Sequence, residues 1–134
     1  MQTLDTTCVL RWLVRDDPAK TADMDALVAA GRPLRVPDVA LIEAMYVLES
    51  HYRFTRDDVA DAVRLVIGQA VFALDRMMWT DVLDQWAGHP KLSVTDVFLA
   101  VDAARRGDIP LVTFGRKVVT QLGGVAPAAA VAAA

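Results

Sequence analysis

The chain has 134 residues, 54% of them hydrophobic and 23% charged, with a formal net charge of −3. That length suits one domain with a substantial core, and the composition excludes a disordered chain. The slightly acidic balance excludes a global basic footprint for nucleic acid, so contact with RNA or DNA needs a local patch.

Cys8 is the only cysteine, which rules out an intramolecular disulfide; it reads as a small core residue. The first residues, Met1 to Asp5, have no basic segment followed by an apolar run, so no secretory signal is read. No apolar run approaches the roughly 18–20 residues of a membrane span. A cytoplasmic location is therefore expected. The positive mean hydropathy points to apolar surface kept for a partner.

In chain order, Thr3-Leu4-Asp5 ends a short strand, and Thr7 to Val14 reads as a helix closed by Arg15-Asp16-Asp17-Pro18. Pro18 starts a second helix to about Ala30, stopped by Gly31. Leu34-Arg35-Val36 reads as a strand, and Asp38 as N-cap of the helix bearing Glu43. Thr55 with Asp58 resembles a capping box that opens a helix to about Ile67. Ala70 to Leu74 is strand-like, and Asp75 caps a helix through Trp86.

Ser93 or Thr95 caps a long helix that ends on Arg105, Arg106 and Gly107, good C-terminal chemistry. Ile109 to Phe114 is a strand, Gly115 to Leu122 a short helix, and Gly123 to Ala126 an edge strand. Residues 1–126 form the expected domain, and the Ala-rich tail 127–134 is a frayed end or a partner-docking segment. Strands separated by helices imply an α/β fold whose mainly parallel sheet is covered on both faces, with right-handed crossovers.

Three acids break the pattern. Asp5 closes the first strand, Asp96 opens a hydrophobic helix, and Glu43 sits inside "VPDVALIEAMYVLES", a helix apolar nearly all round and so expected to be buried. In an open parallel sheet, strand C-termini and the following helix N-termini share the edge where ligands bind. Singly, Asp5 could cap its helix, Asp96 could answer its helix dipole, and Glu43 could face solvent or pair with an arginine. Burying them together needs a cation, and an all-carboxylate set suits Mg²⁺ or Mn²⁺. Ala100, Ala103 and Gly107 continue one face of the helix from Asp96, a small-residue stripe that allows close approach to the sheet.

The blocks "LDTTCVLRWLVRDDP", "VPDVALIEAMYVLES", "SVTDVFLAVDAARRG" and "LVTFGRKV" follow one another as in PIN-domain proteins. The chain resembles the toxin branch of bacterial VapBC-type toxin–antitoxin pairs, from Leu4 to about Val125. The resemblance implies a single three-layer α/β/α domain and a Mg²⁺- or Mn²⁺-dependent endoribonuclease. It also implies RNA as substrate, inhibition by a small antitoxin protein, and a homodimer. The family's acids fall on Asp5, Glu43 and Asp96, and Thr6 matches the hydroxyl beside the first acid. Departures are Thr7 in place of a common Asn, Ser93 in place of an acid, and Gly115 in place of a fourth acid after "TF".

In the chemistry this implies, Asp5, Glu43 and Asp96 hold a divalent ion that activates water for attack on an RNA phosphodiester, with Thr6 and Thr7 supporting them. The vacant acid at Gly115 leaves three readings: a one-metal nuclease, a nuclease impaired by drift, or a variant changed to survive overproduction. Gly115 also has a backbone reading, a turn with φ > 0.

Arg11, Arg15, Arg116 and Lys117 are candidates for phosphate contact, each also readable as a solvated charge. Trp12, Trp79 and Trp86 read as packing residues. His51 and His89 fit no ligand pattern, and no nucleotide-cradling glycine loop exists. Leu10, Leu13, Leu27 and Val28 suit either the core or a groove for an antitoxin segment. The competing functions are a PIN-type binding module without catalysis and a phosphoryl-transfer enzyme with Asp5 as nucleophile. Thr7 argues against the second, which wants an acid at that position.

Overall fold

Three parallel strands organise the N-terminal part of the chain in the computed structural model, which describes residues 1–134: β1 (Gln2–Thr3), β2 (Leu34–Arg35) and β3 (Phe72–Ala73), in the order β1-β2-β3. They belong to a compact unit spanning Met1–Arg76. The strands are shorter than their apolar runs suggested. Ladder bonding extends them, since Leu4 N–H donates to Arg35 C=O and Val36 N–H to Ala73 C=O. The fold is α/β with parallel strands, as expected.

The helices of this unit start where local chemistry satisfies their free N–H groups. α1 (Thr6–Val14) is capped by Asp5, and α2 (Pro18–Ala29) by Asp17 with Pro18 at its first position. α4 (Arg56–Gly68) carries the full Thr55/Asp58 capping box. α3 (Asp38–Ser50) departs from expectation: Pro37 holds the N-cap without a side-chain bond, and Asp38 lies in the first turn. Proline presets the extended φ of −62° needed there, so the turn needs no capping carboxylate.

α1 packs against α2 and α3, and α3 against α4. Leu4, Val9, Leu34, Leu41, Leu48 and Phe72 are buried between these elements, and Trp12 meets Phe72 edge-on at 4.8 Å. Cys8 is half-buried, not a full core residue. Arg76 fastens the end of α4 to β3, donating to the carbonyls of Ile67 (2.9 Å), Gln69 (2.7 Å) and Phe72 (2.6 Å).

A second compact unit spans Met77–Ala134. It contains most of α5 (Arg76–Gly88), then α6 (Val94–Arg106), β4 (Leu111–Thr113), α7 (Arg116–Gln121), β5 (Val125–Pro127) and α8 (Ala128–Ala132). β4 and β5 pair in parallel, and α6, α7 and α8 pack on them. Trp79 and Trp86 are buried, with Trp79 against Phe98 at 5.5 Å. Ser93, not Thr95, caps α6, and Gly107 closes it with φ 74°. The Ala-rich tail, expected to be frayed, is helical over Ala128–Ala132. No helix is long and apolar enough to cross a membrane.

Arg76→Met removes three charge-assisted bonds while keeping the aliphatic stem. It should lower the stability of the protein by about 2 kcal/mol, read as a shifted urea midpoint at unchanged slope. An unchanged midpoint would show that water replaces the guanidinium at those carbonyls.

Candidate functional site

The first turn of α1 gathers two acids around two adjacent hydroxyls. Asp5, one residue beyond the β1 ladder bond of Leu4, has an extended backbone and caps the helix by accepting the Cys8 N–H at Oδ1 (3.0 Å). The same Oδ1 accepts the Thr7 hydroxyl at 2.6 Å. Both donors fall on Oδ1 and leave Oδ2 out of these two bonds. The Thr7 hydroxyl, and after it the Cys8 amide, hold the Asp5 carboxyl below the ordinary aspartate value of 3.8. Thr6, the next residue back, turns its hydroxyl the other way and donates to Glu43 Oε2 at 3.1 Å. Glu43 reaches this point because α3 packs along α1.

Glu43 is not buried. α3 buries Ala40, Leu41, Ala44, Met45 and Leu48 on one side, while Val39 (71% exposed), Glu43 and Tyr46 (68% exposed) line the other. These three follow an i, i+4, i+7 spacing, one face of a helix. The acid therefore stands on an open apolar-flanked stripe and has no closed pocket around it.

In the second unit, Asp96 lies half-buried in the first turn of α6, its backbone N–H donating to Ser93 Oγ at 3.2 Å. Serine at the N-cap thus takes the place of the family's acid as a helix-starting group. The small-residue stripe is graded: Ala100 is buried, Ala103 half-buried and Gly107 exposed. α6 leads directly into β4 and packs on it, so the start of α6 and the C-terminal end of β4 lie at the same end of this unit. Gly115 follows β4 as N-cap of α7 with φ −75°, which any residue adopts, so the expected positive-φ turn is absent. A Cβ on Gly115 would lie 3.3 Å from both Thr113 Oγ1 and Val118 Cγ2.

The structure brings Asp5, Thr6, Thr7 and Glu43 together in the first unit. Asp96, Gly115, Arg116 and Lys117 belong to the second. Within neither unit do three His, Cys, Asp or Glu side chains form a group that could hold a metal ion by themselves. Arg11 pairs with Asp16 at 2.9 Å, and Arg15 grips Asp25 with two bonds, 3.0 and 2.6 Å. These two candidates for phosphate contact are already held by acids. Arg116 and Lys117 are exposed and carry no such pair.

Two exposed aromatics escaped the sequence reading. Tyr46 and Phe114 sit inside apolar runs, which read as core, and yet they alone among the aromatic residues are exposed. Their position near Glu43 and Gly115 was the available signal.

A family model described as PIN domain matches residues 3–121. The chain is similar to a VapC ribonuclease from Aquifex aeolicus (strain VF5), with 26% identity over 120 residues, covering 87% of this chain and 89% of that protein.

Thr7→Val should raise the Asp5 pKa toward 3.8, measured by carboxyl NMR titration. The sign for stability follows. A depressed folded pKa contributes stability that is present above the unfolded value and lost as pH falls through the folded value. The acid-side fall in stability below about pH 4 should therefore flatten in Thr7→Val. An Asp5 titration that does not move would mean that the hydroxyl is not its main support.

Proposed function

The chain belongs to the PIN-domain family, and on that premise we propose that it is a divalent-metal-dependent endoribonuclease, the toxin of a type II toxin–antitoxin pair. The observation that carries the reading is the pair of adjacent hydroxyls, Thr6 and Thr7, each holding one carboxylate. Neither the Thr7 hydroxyl nor the Cys8 amide falls on Asp5 Oδ2, and the Thr6 bond leaves Glu43 Oε1 uncommitted, so each acid has an oxygen to turn toward a hard cation. An ion of the Mg²⁺ class needs only one or two carboxylates when substrate phosphate supplies further oxygens, so the residues fit. In this proposal Asp96 is the third ligand.

Bound Mg²⁺ or Mn²⁺ supplies Lewis-acid polarisation of a phosphodiester and an activated water. The residues of the chain do the rest. Thr7 lowers the Asp5 pKa and fixes the orientation of its carboxylate. Thr6 fixes the Glu43 rotamer and aims its second oxygen. Arg116 and Lys117 attract the phosphate backbone by charge; Arg11 and Arg15 are weaker candidates because acids already occupy them. Gly115 leaves the fourth acidic position vacant, which reduces the supply of ligands for a second ion.

For the partner we propose a small antitoxin protein. Its seat would be the α1–α2 groove, where a cavity of about 210 Å³ has Cys8, Met24 and Leu27 on its walls together with Thr7 and the charged Arg11, Lys20 and Asp23. A homodimer and a cytoplasmic location complete the proposal. The second reading, a PIN-type binding module without catalysis, is favoured by Gly115 alone.

Asp5→Asn, Glu43→Gln and Asp96→Asn should each lower Mn²⁺-dependent cleavage of structured RNA by more than the roughly 10- to 100-fold expected from losing a ligand's hydrogen-bond partner, and EDTA should abolish it. Equal cleavage by wild type and Asp5→Asn would sink the nuclease assignment.

Gly115→Asp adds both a helix N-cap and the missing acid. The cap gains a few tenths of a kcal/mol, offset by the close approach of its Cβ to Thr113 and Val118. Stability should stay within about 1 kcal/mol of wild type while Mn²⁺-dependent cleavage rises. If only this variant cuts, the chain as it stands is the binding module.

A further inference from the structure

Phe114 is 92% exposed, more than any other large hydrophobic side chain of the protein. It lies at the bend between β4 and α7, two residues beyond Val112, which is also exposed. Aromatic rings are ordinarily withdrawn from water, so a ring left this open needs an occupant. Its neighbours in sequence identify the chemistry. Arg116 and Lys117 follow within three residues, both exposed and neither ion-paired, whereas Arg64 and Arg106 elsewhere face acids.

The other exposed aromatic, Tyr46, has the opposite surroundings. Its exposed neighbours on α3 include Glu43 and Glu49, which repel a polyanion. Of the two exposed aromatics, only Phe114 has unpaired cations beside it, and that pairing is the one by which proteins hold single-stranded nucleic acid.

We propose that Phe114 is a stacking platform for one unpaired base of the RNA substrate, with Arg116 and Lys117 taking the phosphates beside it. The proposal rests on the ribonuclease reading and narrows its substrate class to RNA with an unpaired nucleotide. A base within a duplex has both faces covered by its neighbours, whereas a splayed base offers one face to the ring. Phenylalanine has no hydrogen-bonding group, so the platform accepts any base and contributes affinity and positioning without reading sequence. It stands at the end of its unit where α6 begins with Asp96, which places the base on the side of that acid.

The test uses the full-length protein in metal-free buffer, a fluorescently labelled unstructured RNA oligonucleotide, and the same sequence as a duplex. Phe114→Ala and Phe114→Leu should each weaken single-strand binding about tenfold, leave duplex binding unchanged, and abolish quenching of a 2-aminopurine base in the oligonucleotide. Phe114→Trp should restore both affinity and quenching. Wild-type affinity in Phe114→Ala overturns the proposal, and so does wild-type affinity in Phe114→Leu, which would mean mere apolar contact. Loss of a dimer by light scattering in Phe114→Ala, with RNA affinity retained, would instead assign the ring to a protein interface.

Cleavage by wild type in Mn²⁺ is measured alongside. Cleavage with Phe114-independent binding defeats only the stacking platform. Phe114-dependent binding without cleavage defeats only the nuclease reading.

Discussion

Two neighbouring threonines at the start of one helix are the constraint on which the acidic site depends. Successive residues of an α-helix point about 100° apart, so Thr6 and Thr7 cannot serve the same group. Thr7 turns to the N-cap and bonds Asp5, while Thr6 faces α3 and bonds Glu43. The arrangement exists only because α1 lies against α3, and that packing in turn rests on the buried side of α3, Leu41, Met45 and Leu48. A purely apolar core thus sets the distance between a carboxylate and the hydroxyl that aims it.

Exposure of Glu43 changes how the acid works. A fully buried carboxylate would carry a desolvation cost of several kcal/mol until a cation arrived, and an RNA strand could not reach it. On the open face of α3 the cost is small, and in the proposed metal-dependent reading a hydrated cation would exchange waters for carboxylate oxygens one at a time. The apolar residues Val39 and Tyr46 on either side leave no competing arginine or lysine on that stripe. Asp5 is handled differently, by hydrogen bonds that favour its charged form and by the positive end of the α1 dipole. Asp5 is held toward its charged form by donors, whereas Glu43 lies open to solvent.

The features legible from sequence were those decided within a few residues. The Thr55/Asp58 capping box, Pro18 at the start of α2, Ser93 before α6 and Gly107 after it are local contracts between a side chain and its own backbone. Asp5, Glu43 and Asp96 were conspicuous as carboxylates in apolar runs, and of these the structure draws Asp5 and Glu43 to the neighbouring hydroxyls of Thr7 and Thr6. What tertiary packing decides was not legible. Nothing in "VALIEAMYVLES" says which apolar residues of α3 face the core, and the run contains almost no polar residues to mark the outer side. The engagement of Arg11 with Asp16 and of Arg15 with Asp25 likewise needs the α1–α2 corner in three dimensions. The second, backbone reading of Gly115 does not hold for a related reason: glycine licenses a positive φ but does not require one, and here the chain uses −75°.

That extended glycine bears on what the β4–α7 turn can do. Its φ and ψ are open to any residue, so backbone strain does not explain why the side chain is missing. The local crowding does bear on it, because a Cβ would press on Thr113 and Val118. Thr113 in turn accepts the Gly115 N–H at its own hydroxyl, 2.9 Å, a bond that tightens the turn just where Phe114 projects. With no carboxylate at 115, the segment from 114 to 117 carries one ring and two positive charges and nothing negative. An aspartate there would serve a second cation but would also place a negative charge between Phe114 and the cations that attract phosphate. On the proposed reading, the turn would trade one kind of ligand for another, giving up a metal-binding oxygen and keeping an uninterrupted surface for a nucleic acid strand.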